Sequence, residues 1–175
     1  MYHFESKAAV EEHIRNLGIP ATFLIVGSYM SMTVTLLSPL PSKEGKKAYR
    51  LALPVPPTVK WAMVSAGHDV GKYVKAILSN REQVLGKRIS AAERLYSLGE
   101  LVQTLKEKGG LDVAYEQIPE EAFKKGLQSQ GFPEFFADDM VDSMKFGAEF
   151  SFLPGDGVTL EAGHQVSVTM SSADS

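Results

Sequence analysis

Apolar and ionisable residues recur at spacings of four and three along the start of the chain: His3, Lys7, Val10, Ile14 and Leu17 project from one face of a helix. The pattern predicts a helix over 6–17 with Ser6 as N-cap, stopped by Gly18 and Pro20 and supported by Glu11 and Arg15 at i,i+4. Two of the five stripe positions are ionisable, so the periodicity sets His3 and Lys7 on a face expected to be buried. TFLIV at 22–26 is a continuous β-rich apolar run, which predicts a strand covered on both sides, as in a parallel sheet.

The stretch 39–57, rich in Pro, Lys and Gly, reads as an excursion with one short strand at 49–53. Its Lys43, Lys46, Lys47 and Arg50 make either a solvated loop or an anion-holding cluster. A second strand is expected at 61–66, then a helix capped by Asp69 with Val70, Val74, Ile77 and Leu78 inward, ending near Asn80. A strand at 88–91 follows. Ser97 and Glu100 form a capping box for a helix with Leu98, Leu101, Val102 and Leu105 inward, stopped by Gly109 and Gly110. VAYEQI at 113–118 alternates as a half-exposed strand does. Pro119 and Pro133 each open a helix, the first carrying Phe123 and Leu127, the second Phe136, Met140 and Met144. Asp138, Asp139 and Asp142 are expected on its solvated side rather than at a metal. After the turn PGDG, the even positions from Val158 to Met170 are mostly apolar, which fits a strand or hairpin, or a short helix around 159–164. The alternation of strand and helix argues for an α/β domain.

Composition narrows the function. A chain of 175 residues with 44% hydrophobic content can bury one sizeable core. Its net charge of -3, from 21 acidic and 18 basic residues mixed along the chain, provides no field for a nucleic acid backbone. The absence of cysteine removes thiolate nucleophiles and zinc-thiolate sites. The uncharged run 16–42 carries Ser, Thr, Gly and Pro, so a buried strand with an interior loop is expected rather than a membrane span. Glu5, Glu11 and Glu12 interrupt the region where a signal peptide would be apolar, and a cytoplasmic protein is expected. There is no G-x-G-x-x-G and no G-x-S-x-G. GHDVGKY at 67–73 imitates a phosphate loop, but its glycines are too close together and Tyr73 stands where a magnesium-binding hydroxyl belongs. His3, His13, His68 and His164 have no metal-ligand spacing.

HFESKAAVEEHIRNLGIPATFLIVGSYM resembles the midsection of the NmrA-like proteins, an atypical short-chain dehydrogenase/reductase family similar to the isoflavone reductases. The family pattern is His or similar, three positions, Lys, then V-E-E-x-I and G-I-P-x-T. GHDVGKYVKAILSN, GKRISAAERLYSLGELVQTL and VAYEQIPEEAF are similar to later family segments, so the likeness runs from 2 to about 165. It implies the carboxy-terminal portion of an NAD(P)-binding Rossmann-like fold with a substrate lobe. The expected division is a Rossmann remnant at 1–40, the lobe at 41–165 and a tail at 166–175, within one NmrA-like domain. The family's Gly-rich βαβ has no counterpart, and Met1 looks like an internal start in a longer ancestral protein.

By the same resemblance, Lys7 and His3 are candidate catalytic residues: Lys7 as the lysine that reaches the cofactor ribose and nicotinamide, His3 where ordinary short-chain dehydrogenases place their tyrosine. Tyr29, Met30, Ser31 and Met32 match the loop against the nicotinamide, although the family often has Asn at the position of Met32. The cofactor implied is NADP or NAD, bound poorly by this chain alone because no Gly-rich loop seats the pyrophosphate. The residues alone leave a second account of Lys7 open, a stem that snorkels from the stripe to water. Three functions follow from the likeness. One is an NAD(P)-dependent oxidoreductase acting on a small carbonyl or unsaturated metabolite in secondary metabolism. Another is a non-enzymatic redox-sensing, transcription-regulatory module that binds a protein. The third is an inactive remnant. The partners expected are a small-molecule substrate, or a protein or homo-oligomer that covers the open edge of the 22–26 strand; neither nucleic acid nor membrane is expected.

Overall fold

The computed structural model describes residues 1–43, 46–152 and 158–159. In chain order these form α1 (Tyr2–Asn16), β1 (Phe23–Val26), β2 (Ser28–Tyr29), α2 (Met30–Thr35), β3 (Leu37–Lys43), β4 (Lys46–Leu53), β5 (Lys60–Val64), α3 (Ala66–Ser79), α4 (Arg81–Val84) and β6 (Arg88–Ala91). There follow β7 (Arg94–Ser97), α5 (Leu98–Glu107), β8 (Asp112–Gln117), α6 (Glu120–Ser129), α7 (Glu134–Phe150) and β9 (Val158–Thr159). The expected turn at 154–157 and the alternation over 160–170 lie outside the described residues. The chain divides into two compact units, one made of Met1–Met30, Ala62–Arg94 and Phe152–Ser175, the other of Ser31–Trp61 and Leu95–Ser151.

In the first unit, β1 runs parallel to β6 with Phe23 opposite Arg88 and Val26 opposite Ala91, and β6 runs parallel to β9. The short β2 runs parallel to β5, Tyr29 opposite Val64. Alternation along β1 and β6 sends side chains to two faces. Leu24 and Val26 join Ile89, Ala91, Val64 and Val84 under α3, whose Val70, Tyr73, Ala76 and Ile77 close the core. Here the structure corrects the expected α3 stripe. Tyr73 takes an inward place and its hydroxyl donates to Ala92 O at 2.8 Å, while Val74 and Leu78 are 42% and 69% exposed. Both sets fit the helical repeat, so periodicity does not choose between them, and an aromatic ring with a buried acceptor for its hydroxyl wins the site.

The opposite face carries α1, which starts at Tyr2 rather than Ser6 and ends where Gly18 turns to φ +66°. Glu11 accepts from Arg15 Nε and from Arg88 Nε, both at 2.9 Å. The Arg15 guanidinium lies 4.5 Å from the centre of the Phe23 ring and donates to Gly86 O at 2.9 Å. These contacts set the carboxy end of α1 over the amino ends of β1 and β6. The expected burial of the helical stripe is not found: Lys7 is exposed, and Val10 and Leu17 are 57% and 59% exposed. Ile14 alone among them is half-buried, because the helix is held through Glu11 and Arg15, which lie on a neighbouring face.

In the second unit, β3 and β4 form an antiparallel hairpin where sequence suggests an excursion with one strand, and β8 runs parallel to β4. Pro39 and Pro41 hide β3 from a propensity reading, yet they are tolerated because it is the outer strand of the order β3-β4-β8. Arg50 of the expected basic cluster pairs with Glu116 on β8 at 2.9 Å. Leu51, Leu53 and Val113 are buried. The Tyr115 hydroxyl donates to Val55 O, and burial pushes its pKa up to about 12. The Ser97–Glu100 capping box forms as expected. Helices α6 and α7 are joined by Lys124–Asp138 at 2.7 Å and Lys145–Glu120 at 2.8 Å. Asp139 departs from the expected solvated face: it is buried, while Asp138 and Asp142 are exposed. Among the described residues no helix is long and apolar enough to cross a membrane and no acidic or histidine group is placed to hold a metal.

Two outcomes are expected. A Cβ built on Gly27 would stand 2.6 Å from Ala62 O, so Gly27→Ala should lower the free energy of urea denaturation by about 1–3 kcal/mol, as overpacking does. Burial raises the pKa of Glu11, but hydrogen bonds from Arg15 and Arg88 outweigh it and leave the carboxyl below its ordinary value. Its contribution is therefore present above the unfolded value of 4.5 and is lost as pH falls through the lower folded value. Glu11→Gln should be less stable than the parent at pH 7 and should approach it in urea melts towards pH 3.

Candidate functional site

In parallel α/β sheets, ligands gather at the carboxy ends of the strands. Within the first unit that end is defined by Gly27 and Tyr29 after β1, Ser65 after β5 and Ala92 after β6. Lys7 stands one turn before Glu11, about 6 Å further along the helix axis, with its ammonium exposed. His3 belongs to the first turn of the same helix. Tyr29 is 42% exposed; Met30 is half-buried and opens α2. Ser31 and Met32 belong to the other unit and are both exposed. Lys7, Tyr29 and the backbone of His3 thus share one unit.

The turn between β5 and α3 holds a cluster that the spacing of GHDVGKY conceals. Ser65, not Asp69, is the N-cap. Asp69 sits in the first helical turn, nearly buried, and its Oδ1 accepts from Lys72 Nζ at 3.0 Å and lies 2.8 Å from His68 Nδ1. The hydrogen bond from Lys72, opposed by burial and assisted by His68, holds the Asp69 carboxyl below its usual range. The legible signal was the Asp–Lys pair at i,i+3; the burial that makes it matter was not legible. A carboxylate in the first turn disfavours a bound anion at this helix start. In the second unit, Glu100 likewise closes the amino end of α5, its Oε2 accepting from Ser97 N at 2.7 Å.

These observations test the fit of a dinucleotide. An exposed ammonium with three donors and a phenol at the carboxy end of a parallel strand suit a ribose and a nicotinamide. The helix ends of α3 and α5 do not suit a pyrophosphate, because each is occupied by the chain's own carboxylate. The described residues fit one end of the cofactor and not the other.

Parallel strands layered between helices place the chain among NAD(P)-binding Rossmann-like folds. It belongs to the NmrA-like family, whose sequence profile matches residues 1–172. It is 29% identical over 118 residues to the nitrogen metabolite repression protein nmr of Neurospora crassa, a match covering 65% of this chain and 24% of that protein. The crystal structure of NmrA, a negative transcriptional regulator, in complex with NADP superposes with a TM-score of 0.54 at 25% identity, over 62% of this chain and 35% of that one. An NADPH-dependent quinone oxidoreductase from Escherichia coli, complexed with NADPH, gives a TM-score of 0.59 at 21% identity, over 82% and 48%, a likeness of fold alone. The chain spans between about a quarter and a half of these proteins' lengths.

Because Asp69 is held charged in the native state, its contribution exists above the unfolded value of 3.8 and disappears as pH falls through the lower folded one. Asp69→Asn should destabilise the protein by about 1–2 kcal/mol at pH 7, and thermal melts should show that deficit vanishing in acid.

Proposed function

We propose that this chain is a regulatory NmrA-like protein that responds to NAD(P), contributing the ribose and nicotinamide wall of a dinucleotide site and acting through contact with another protein. The observation that carries the reading is that Lys7, an exposed cation of α1, belongs to the same compact unit as Tyr29. Met30 continues from Tyr29 within that unit and would line the nicotinamide. The regulatory half of the reading is supported by the relatives at 25% identity or more, which are named as a repression protein and a negative transcriptional regulator. A cytoplasmic location goes with a chain that makes no use of an oxidising compartment.

A second reading is an oxidoreductase reducing a small carbonyl or unsaturated compound of secondary metabolism. It is favoured by the spacing of His3 and Lys7, one turn apart at the amino end of α1. When bound, the cofactor supplies hydride chemistry; Lys7 would orient its ribose, His3 would hold or pass a proton at its imidazole, and Tyr29 would face the substrate.

Calorimetric titration of the chain with NADP and NAD distinguishes these. Weak binding, with Kd about 0.1–1 mM because no pyrophosphate seat is present, is expected. Lys7→Ala should weaken it about tenfold, with no NADPH oxidation in the presence of quinones or small carbonyls. Turnover that disappears in Lys7→Ala would replace the regulatory reading with the enzymatic one, and indifference to both nucleotides at 10 mM would sink the two together.

A further inference from the structure

Helix α1 is fastened to the first unit at two points of one face. Its carboxy half is held by Glu11, which accepts from Arg15 and from Arg88. Along its amino half Tyr2 and residues 5–10 are exposed, whereas Phe4 is half-buried. The Phe4 ring lies against that of Phe152, with centroids 6.4 Å apart and planes inclined by 17°, as in offset-stacked aromatic pairs. Both rings belong to the first unit. Phe4 and Glu11 are two turns apart, which brings them within about 20° of each other round the helix. Lys7 falls between them, at i+3 from Phe4 and i−4 from Glu11, a neighbour of both on the helix surface. His3 precedes Phe4 in the same turn.

The backbone that delivers Phe152 is unusual. Ser151 caps the carboxy end of α7 at φ +57°, and Phe152 follows at φ +65°, the two non-glycine residues with positive φ among those described. A helix cap accounts for the first, whose N–H donates to Gly147 O at 3.0 Å. It does not account for the second. An aromatic residue in the left-handed region persists where its surroundings hold it there, and the Phe4 ring supplies such a contact. We propose that Phe152 is a positioning residue for the dinucleotide wall: its ring clamps Phe4 and, with the Glu11 clasp two turns on, sets where the turn carrying His3 and Lys7 stands. A helix fastened at Glu11 alone would pivot there, and the Lys7 ammonium would sweep a wider arc. The functional role rests on Lys7 meeting the ribose and nicotinamide; the clamp itself needs no nucleotide.

Residue-resolved amide exchange and calorimetric titration with NADP test this. Phe152→Ala is expected to speed exchange of the amides of residues 6–9 about tenfold while those of 13–16 and of β6 keep the parent rates, as local rather than global opening does. Phe152→Tyr, which keeps the ring, should restore the slow rates. Phe152→Gly, which relaxes the backbone but lacks the ring, should behave as Phe152→Ala. Phe152→Ala should also weaken NADP about fivefold, and adding Lys7→Ala should bring no more loss than Lys7→Ala alone, the non-additivity of a residue that acts through another. Unchanged exchange at 6–9 would overturn the proposal. So would a rise shared by α1 and β6, fast rates left by Phe152→Tyr, slow rates kept by Phe152→Gly, or NADP losses that multiply in the double variant. Were the parent indifferent to NADP, the reading of Lys7 would fall, and exchange alone would uphold or overturn the clamp.

Discussion

One carboxylate fastens α1 to the sheet of the first unit. Glu11 sits between Arg15 of its own helix and Arg88 at the start of β6, so a single side chain ties α1 to the sheet and fixes how far the helix has rotated. Exposed pairs of this kind contribute little by themselves, but the Glu11 side chain is only 13% exposed and accepts from both guanidiniums. The same clasp turns Val10 and Leu17 outwards, about 100° and 120° round the helix from Glu11, while Lys7, one turn from Glu11 and about 40° round, stays on the clasp's side of the helix with its side chain exposed. A site that depends on Lys7 therefore inherits its geometry from a residue that never touches a ligand.

Much of the architecture was legible from side-chain pattern. Strand β6 was bounded by its apolar run, the α5 capping box by Ser97 and Glu100, the starts of α6 and α7 by Pro119 and Pro133, and the end of α1 by Gly18. These signals are local, and local chemistry settles them. What was misread depended on distant partners. The β3–β4 hairpin was obscured by prolines that only its outer place in a sheet makes acceptable. Tyr73 turned inward because Ala92 O, well along the chain, accepts its hydroxyl. Asp139 was assigned to solvent because a helical wheel cannot tell which of two polar flanks another helix will cover.

The candidate site was legible only in part, and for a related reason. Lys7 and Tyr29 were named through family likeness, and both fall in the first unit. The carboxylates at the starts of α3 and α5 could be found by spacing, but not their consequence, which is that the two helix ends a phosphate would seek are already neutralised. Affinity for a dinucleotide is thus limited by what the chain places at its own helix termini as much as by the motif it lacks.

The interleaving of the two units bears on how the molecule is made. The chain leaves the first unit after Met30, returns at Ala62, departs again after Arg94 and comes back at Phe152. Strand β1 leaves the ribosome long before β6, its parallel neighbour, has been translated, so a sticky apolar ribbon waits unpaired through much of synthesis. Closing so long a loop has an entropic cost that grows with the logarithm of its length. A β3–β4 hairpin, whose strands are neighbours in sequence, shortens the effective loop once it has formed.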